Sequence, residues 1–312
     1  MLPQRYEFSQ VRMGVDTRIV VYADDEAQAV RACRAAYTRI SELEQKMSDY
    51  RVDSELNLLC QRAVGRWVGV SPELFYVLWR GQKLAHQTDG AFDVTVGALV
   101  RLWREARRTG KLPDEATLQA AKARSGYRLM ELSLPRRAVR LKTEGMQLDL
   151  GGIAKGYACD KALQVLRRHS IRRALIQMGG DVVAGDAPPN EQGWRVELAE
   201  GGTTLLRNAA LSTSGSTEQY VEINGIRYAH ILDPRTGLGL TRLVLARVRA
   251  RDGITADSLA TAAAVLGEPD AKRLERLYQG AQVSLVSVSE GILSFAPSQG
   301  RRESLWRKCA RF

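Results

Sequence analysis

The stretch LDLGGIAKGYACDKAL, residues 148–163, changes its pattern in the middle. Its first residues belong to an apolar run, MQLDL at 146–150, that predicts a strand. Two glycines follow, Gly151 and Gly152, and apolar residues at helical spacing then predict an amphipathic helix over 153–169. Glycines let a backbone approach a ligand closely, and the start of a helix attracts phosphate through its N–H groups.

Two charged residues flank this glycine turn. Asp149 precedes the turn, and Lys155 lies in the first turn of the predicted helix, where it adds a full positive charge to the helix N-terminus. The residues alone support two interpretations equally well. One is a phosphate-binding turn, and the other is a tight strand–helix connection whose lysine is solvated.

Signals on both sides of this stretch predict an α+β fold rather than a βαβ series. Ser71 and Pro72 form a typical helix opening, and helices concentrate in a lobe near residues 70–126. Strand signals dominate later, including a hairpin with Asn224-Gly225 at its tip. We expect one compact mixed-sheet domain over the 312 residues. Other predicted elements are a helix over 93–108, a strand near 207–213 and a terminal hairpin over 282–296.

The composition is that of a soluble globular protein, with 45% hydrophobic and 26% charged residues. The four cysteines are widely spaced, which argues against a zinc or iron–sulfur site. The net charge of +11 comes from dispersed arginines, so a basic solvated surface is favoured over a nucleic-acid face. No transmembrane segment, signal peptide or lipobox is evident, which predicts a cytoplasmic protein, or a periplasmic one if a leader is missing from this sequence.

Three further stretches carry residues suited to chemistry. Asp257 and Thr261 are four residues apart, so on a helix they share a face and offer oxygen ligands to Mg²⁺. The alternative is that Thr255 or Asp257 caps the helix. His230 in HILDPRTG is a candidate proton acceptor, or else an ordinary turn histidine. Tyr50, just beyond a helix end, could stack on a planar ring.

Other enzyme classes lack their signatures. The sequence contains no GxGxxG after a strand, no GxxxxGK[ST], no GxSxG and no HExxH, so the common nucleotide-binding, esterase and zinc-protease motifs are excluded.

Taken in order, the motifs resemble those of the ApbE family, the FAD:protein FMN transferases. The matching blocks run nearly from end to end of the chain: MG at 13–14, MSDYRVDSEL at 47–56, TDGAFDVTVGALVRLW at 88–103, LDLGGIAKGYACD at 148–160, MGGD at 178–181, STSGS at 212–216, HILDPRTG at 230–237 and ADSLATAAAVLG at 256–267. The resemblance implies a T-fold-like, ApbE-like mixed sheet. It also implies transfer of FMN from FAD to a threonine of an acceptor flavoprotein, with release of AMP.

The same resemblance implies a Mg²⁺ cofactor, for which Mn²⁺ could substitute, and a role for individual residues. The implied cofactor-binding residues are Met13 and Tyr50 on the isoalloxazine, Ala91, Phe92 and Asp93 in the flavin pocket, Asp149 and Lys155 on FAD, and Ile231 against the cofactor. The implied metal ligands are Asp257, Thr261 and the carbonyl of Gly152, and the implied base is His230. The alternatives are a Mg²⁺-dependent FAD pyrophosphatase and a flavin carrier without turnover.

Overall fold

An antiparallel sheet of seven strands lies at the centre of the protein in the computed structural model, which describes residues 3–199, 201–216 and 219–287. The strands in chain order are β1 (Gln4–Arg12), β2 (Val15–Ala23), β3 (Val68–Gly69), β4 (Met130–Ser133), β5 (Ala138–Leu141), β6 (Ala174–Met178), β7 (Asp181–Ala184), β8 (Trp194–Glu197), β9 (Thr203–Leu206), β10 (Ala209–Gly215), β11 (Tyr220–Ile223), β12 (Ile226–Ala229), β13 (Leu232–Asp233), β14 (Leu238–Gly239), β15 (Val244–Ala250) and β16 (Gln282–Ser287). The order across the main sheet is β1-β2-β6-β7-β10-β15-β16, with every neighbouring pair antiparallel.

Eight α-helices accompany these strands in the described part of the chain. They are α1 (Glu26–Met47), α2 (Glu55–Arg62), α3 (Pro72–Gln87), α4 (Gly97–Thr109), α5 (Glu115–Ala123), α6 (Ala154–Arg168), α7 (Gly253–Leu266) and α8 (Arg273–Leu277). The predicted mixed α+β class is confirmed, and the helical lobe near 70–126 corresponds to α3, α4 and α5. Among the described residues, no helix combines the length and apolarity needed to cross a membrane.

Alternating side chains give the sheet two apolar faces, because successive residues of a strand point to opposite sides. Ile19 and Val21 of β2 join the larger core, which α1, α6 and α7 cover. Val20, between them, joins a smaller core that the β8–β9 hairpin covers. A third cluster packs α4 and α5 against the β11–β12 hairpin.

Several local predictions are confirmed. The Ser71 hydroxyl caps α3 and Pro72 stands in its first turn. Asn224 and Gly225 have φ values of 54° and 73°, the left-handed conformations that a tight two-residue hairpin needs, and they join β11 to β12. The helix predicted over 153–169 corresponds closely to α6.

Other boundaries were wrong for identifiable reasons. MQLDL is not a strand, because its backbone bonds to the segment that leads into α4: Asp149 N–H donates to the Val94 carbonyl and Gly97 N–H donates to the Gln147 carbonyl. The helix predicted over 93–108 begins only at Gly97. Of the hairpin predicted over 282–296, the first strand is β16 and the remainder lies outside the described residues.

Candidate active site

Two helices cross at the centre of the site. A Cβ on Gly156 of α6 would lie 2.1 Å from the Gly253 carbonyl oxygen at the start of α7. Glycine at this crossing lets the two backbones approach much more closely than side chains would allow. The Gly156 N–H donates to Asp257 Oδ2 at 3.0 Å, so the crossing also fixes a predicted metal ligand.

Lys155 lies among oxygen atoms at the head of α6. Its Nζ donates to the Gly151 carbonyl at 2.8 Å and lies 3.2 Å from Asp181 Oδ2 and 3.6 Å from Asp257 Oδ1. The two carboxylate side chains are only 4% and 3% exposed. Burial and the Asp181 charge raise the pKa of Asp257. Burial alone would lower the pKa of Lys155, but the two carboxylates outweigh it and raise this pKa, so the lysine is charged at neutral pH.

The predicted metal ligands lie close to one another. A Cβ on Gly152 would meet Thr261 Oγ1 at 2.8 Å, and Ser214 Oγ lies 3.3 Å from the same hydroxyl. Asp257 stands one turn before Thr261 on α7. Within residues 3–199, 201–216 and 219–287, no cluster of three or more His, Cys, Asp or Glu side chains could hold a metal. A cation here would instead have a carboxylate, a hydroxyl and a backbone carbonyl as ligands, the hard oxygens that suit Mg²⁺.

A half-buried aspartate holds the start of α7 in place. Asp160 of α6 accepts hydrogen bonds from the backbone N–H groups of Gly253 at 2.7 Å and Ile254 at 3.0 Å. Burial raises the pKa of Asp160 to about 7. The helix cap is Asp252, whose carboxylate accepts from the Thr255 N–H. Neither Thr255 nor Asp257 caps the helix, so both capping alternatives were wrong.

Asp149 and Tyr50 are linked through an arginine. Arg104 of α4 forms ion pairs with Asp49 and, at 3.2 Å, with Asp149 Oδ2, while Asp149 Oδ1 accepts from the Gly151 N–H at 2.8 Å. The guanidinium also lies 4.0 Å from the centre of the Tyr50 ring, which is 74% exposed. Burial and the Asp49 charge raise the pKa of Asp149. These contacts bring two predicted FAD-binding residues into one charged cluster.

The predicted flavin-pocket loop is largely buried. Asp93 Oδ1 accepts from both the N–H and the hydroxyl of Thr95 at 2.7 Å, and burial raises the pKa of Asp93. This local turn explains why α4 begins at Gly97 and not at Asp93, where the sequence predicted its start. The side chains of Ala91 and Phe92 belong to the main core, at 1% and 4% exposure.

Met13 occupies the turn between β1 and β2, with a φ of 49°, and its half-buried side chain packs on the main core. The strand register places Met13 at the end of the sheet where β6 turns into β7, because Thr17 of β2 pairs with Met178 of β6 and Met178 pairs with Asp181 of β7. Met13 therefore lies at the same end as the turn that carries Asp181.

The HILDPRTG segment is anchored at both of its ends. The backbone N–H of His230 donates to the Gln219 carbonyl at 2.9 Å, and its ring Nδ1 lies 3.1 Å from the same oxygen. Since a carbonyl only accepts, this contact favours the tautomer with hydrogen on Nδ1 and the basic lone pair on Nε2. The indole of Trp103 donates to the Gly237 carbonyl at 2.8 Å. His230 is exposed and Ile231 is buried.

Three groups of predicted residues are thus assembled, around Lys155, Asp149 and His230. Sequence reasoning assigned no role to Asp181, Ser214 or Arg104. Asp181 stands directly after a Gly-Gly step at a strand end, which is a recognisable signal, whereas nothing in the sequence distinguishes Arg104 from the other arginines.

The fold and the site define an α+β protein in which a lysine at the head of α6 meets two buried carboxylates. The chain belongs to the ApbE family, whose sequence profile matches residues 13–285. Over 300 residues it is 32% identical to the FAD:protein FMN transferase of Treponema pallidum. The aligned region covers 89% of this chain and 83% of that protein.

Solved structures agree with this family. The flavin transferase ApbE from Vibrio cholerae is 26% identical, with a TM-score of 0.79 over 92% of this chain and 95% of that chain. The flavinyl transferase ApbE of Pseudomonas stutzeri, in its apo form, shares the fold with a TM-score of 0.82, 24% identity and 93% coverage of both chains.

Proposed function

We propose that this protein moves FMN to a threonine hydroxyl of an acceptor flavoprotein with Mg²⁺ in its site. By homology to enzymes of that activity, it is an FAD:protein FMN transferase. The observation that carries the proposal is the convergence of Lys155, Asp181 and Asp257 at the head of α6. Such a buried site combines positive charge with hard oxygen ligands, which pyrophosphate chemistry requires.

The pyrophosphate of FAD is assigned to the glycine turn and the start of α6. Helix N-terminal N–H groups and the Lys155 ammonium both favour a negative ligand. The flavin ring is assigned to Tyr50, Met13 and the loop over residues 91–93, with Ile231 beside it. Tyr50 suits this role because its ring is exposed and held by Arg104 on one side.

The proposed ligands of Mg²⁺ are Asp257, Thr261 and the Gly152 carbonyl. Bound Mg²⁺ would neutralise charge on the phosphoryl oxygens. Asp257 can serve in this way because the Gly156 N–H fixes one of its oxygens and the other, Oδ1, faces the site. Mn²⁺ is expected to substitute, since oxygen ligands accept both ions.

His230 is the proposed general base. The threonine oxygen attacks the phosphorus on the FMN side of the pyrophosphate, and its proton passes to Nε2 of His230. A new P–O bond to threonine forms, the P–O bond to the AMP phosphate breaks, and AMP leaves with the electron pair. In the tautomer that donates Nδ1–H to the Gln219 carbonyl, Nε2 carries the lone pair that this step needs.

Two other functions use the same site. A Mg²⁺-dependent FAD pyrophosphatase would replace the threonine with water, and a flavin carrier would bind FAD without turnover. FMN and AMP formed rapidly without an acceptor would indicate the pyrophosphatase. FAD that stays intact after long incubation with acceptor would indicate the carrier.

The decisive experiment combines the protein, FAD, Mg²⁺ and candidate acceptor flavoproteins, followed by intact mass of the acceptor. We expect the mass to rise by one FMN phosphoester, and an acceptor whose target threonine is replaced by valine should stay unmodified. His169→Ala is a matched control, because His169 is exposed and caps the C-terminal end of α6, the opposite end from Lys155. No mass change with any acceptor, despite bound FAD, would contradict the proposal.

A further inference from the structure

The two oxygens of Asp257 have different partners. Oδ2 accepts the Gly156 N–H at 3.0 Å, so the backbone of α6 occupies it. Oδ1 is 3.6 Å from the Lys155 ammonium. The oxygen that would bind a divalent cation therefore already faces a positive charge.

We propose that Lys155 competes with the divalent cation for Asp257, and so weakens cation binding until the pyrophosphate of FAD draws the ammonium away. The inference rests on the proposed function, which assigns the cation to Asp257 and the pyrophosphate to the head of α6. It adds that Lys155 controls the affinity for the metal as well as contacting FAD.

Charge and burial support this competition. Asp257 lies in a site that excludes most water, with its side chain 3% exposed, so charges here are weakly screened. A divalent cation on Oδ1 and an ammonium within 4 Å of the same atom would repel each other. One of them must move, and a lysine with a flexible four-carbon stem is the group that can.

Asp181 gives the lysine a second partner in the same place. Its Oδ2 is 3.2 Å from Nζ, and its Oδ1 is held by the Ser212 hydroxyl at 2.6 Å. The Gly151 carbonyl is a third partner at 2.8 Å. With its side chain still 23% exposed, the ammonium can reach a ligand at the mouth of the site. A pyrophosphate is a stronger partner than these, because it carries several charged oxygens.

The test measures Mn²⁺ binding to the protein alone, by the electron paramagnetic resonance signal of free Mn²⁺, so it does not depend on activity. We expect Lys155→Met to bind Mn²⁺ at least tenfold more tightly than the wild type. Lys155→Gln, which keeps a hydrogen-bond donor, should change in the same direction and serves if the methionine variant folds poorly. Thermal unfolding verifies that each variant is folded.

Two matched variants make the result specific. Lys161→Met removes a lysine of the same helix that faces the Tyr157 ring at 5.1 Å, and it should leave Mn²⁺ affinity unchanged. Asp257→Asn should abolish the tight binding in the Lys155→Met background. If the Lys155 variants bind Mn²⁺ no more tightly than the wild type but Asp257→Asn still removes binding, the competition is wrong and the assignment of the metal to Asp257 is retained. If Asp257→Asn binds Mn²⁺ like the wild type, the metal assignment itself fails, and the competition fails with it.

Discussion

The crossing of α6 and α7 gives the sharpest prediction about how the fold builds the site. In Gly156→Ala, the new Cβ would lie 2.1 Å from the Gly253 carbonyl oxygen and 2.8 Å from the Asp257 Cβ, where ordinary contacts begin at 3.4 Å. The neighbours are mainly backbone atoms, so a rotamer change cannot relieve the overlap. The two helices would have to separate by more than 1 Å.

This separation has two energetic costs. Overpacking a core costs about 1–3 kcal/mol, and losing a hydrogen bond to a charged group costs about 1.5–3 kcal/mol. The Gly156 N–H bond to Asp257 starts at 3.0 Å and would stretch beyond hydrogen-bond length. We therefore expect a loss of about 3–5 kcal/mol in the free energy of unfolding, or roughly 10 °C in Tm.

The assay is urea or thermal unfolding together with Mg²⁺-dependent FMN transfer. Activity should fall below detection even at temperatures where the variant remains folded, because Asp257 and Lys155 move apart. Gly69→Ala is the control, since a Cβ at this position has no neighbour within 4 Å. A Gly156→Ala protein within 1 kcal/mol of the wild type and fully active would refute the reasoning.

Three further substitutions test the proposed roles of individual residues. Asp257→Ala should abolish Mg²⁺-dependent turnover while the fold survives, because the proposed metal ligand is lost; rate and circular dichroism measure this. His230→Ala should still bind FAD and Mg²⁺ but transfer flavin ~10²–10⁴-fold more slowly, the usual contribution of a general base. Tyr50→Ala should weaken FAD binding by about 1–3 kcal/mol, the typical value of an aromatic stack, measured by flavin fluorescence. Tyr50→Phe keeps the ring and should bind FAD nearly as well.

Each of these predictions can fail in a defined way. Full activity in Asp257→Ala, or in the wild type with excess EDTA, would show that the metal site is wrong. Near wild-type flavin transfer by a folded His230→Ala protein would show that His230 is not the general base and that charge and positioning account for the rate. Unchanged FAD affinity in Tyr50→Ala would move the flavin ring away from this tyrosine.

The sequence by itself determined the features that depend on near neighbours in the chain. The Ser71 cap of α3, the Asn224-Gly225 hairpin and the course of α6 follow from local backbone preferences, so they were predicted closely. The α+β class followed from the distribution of these local signals. The order of motifs also determined the family, because it records residue types at fixed spacings that do not require the fold to be known.

Only the tertiary structure decided how distant residues meet. The run MQLDL has the composition of a strand, but it lies where its backbone bonds to the loop before α4 instead of a sheet. The importance of Arg104 appears only when folding brings Asp49 and Asp149 to either side of it.

The centre of the site is the clearest case. Lys155, Asp181 and Asp257 lie on α6, β7 and α7, and no local rule relates positions so far apart in the sequence. They meet because the antiparallel sheet brings its strand ends together and because glycines at the helix crossing allow α6 and α7 to touch. The sequence supplied the charged groups, whereas packing set the 3.2 and 3.6 Å distances at which one lysine balances two buried carboxylates.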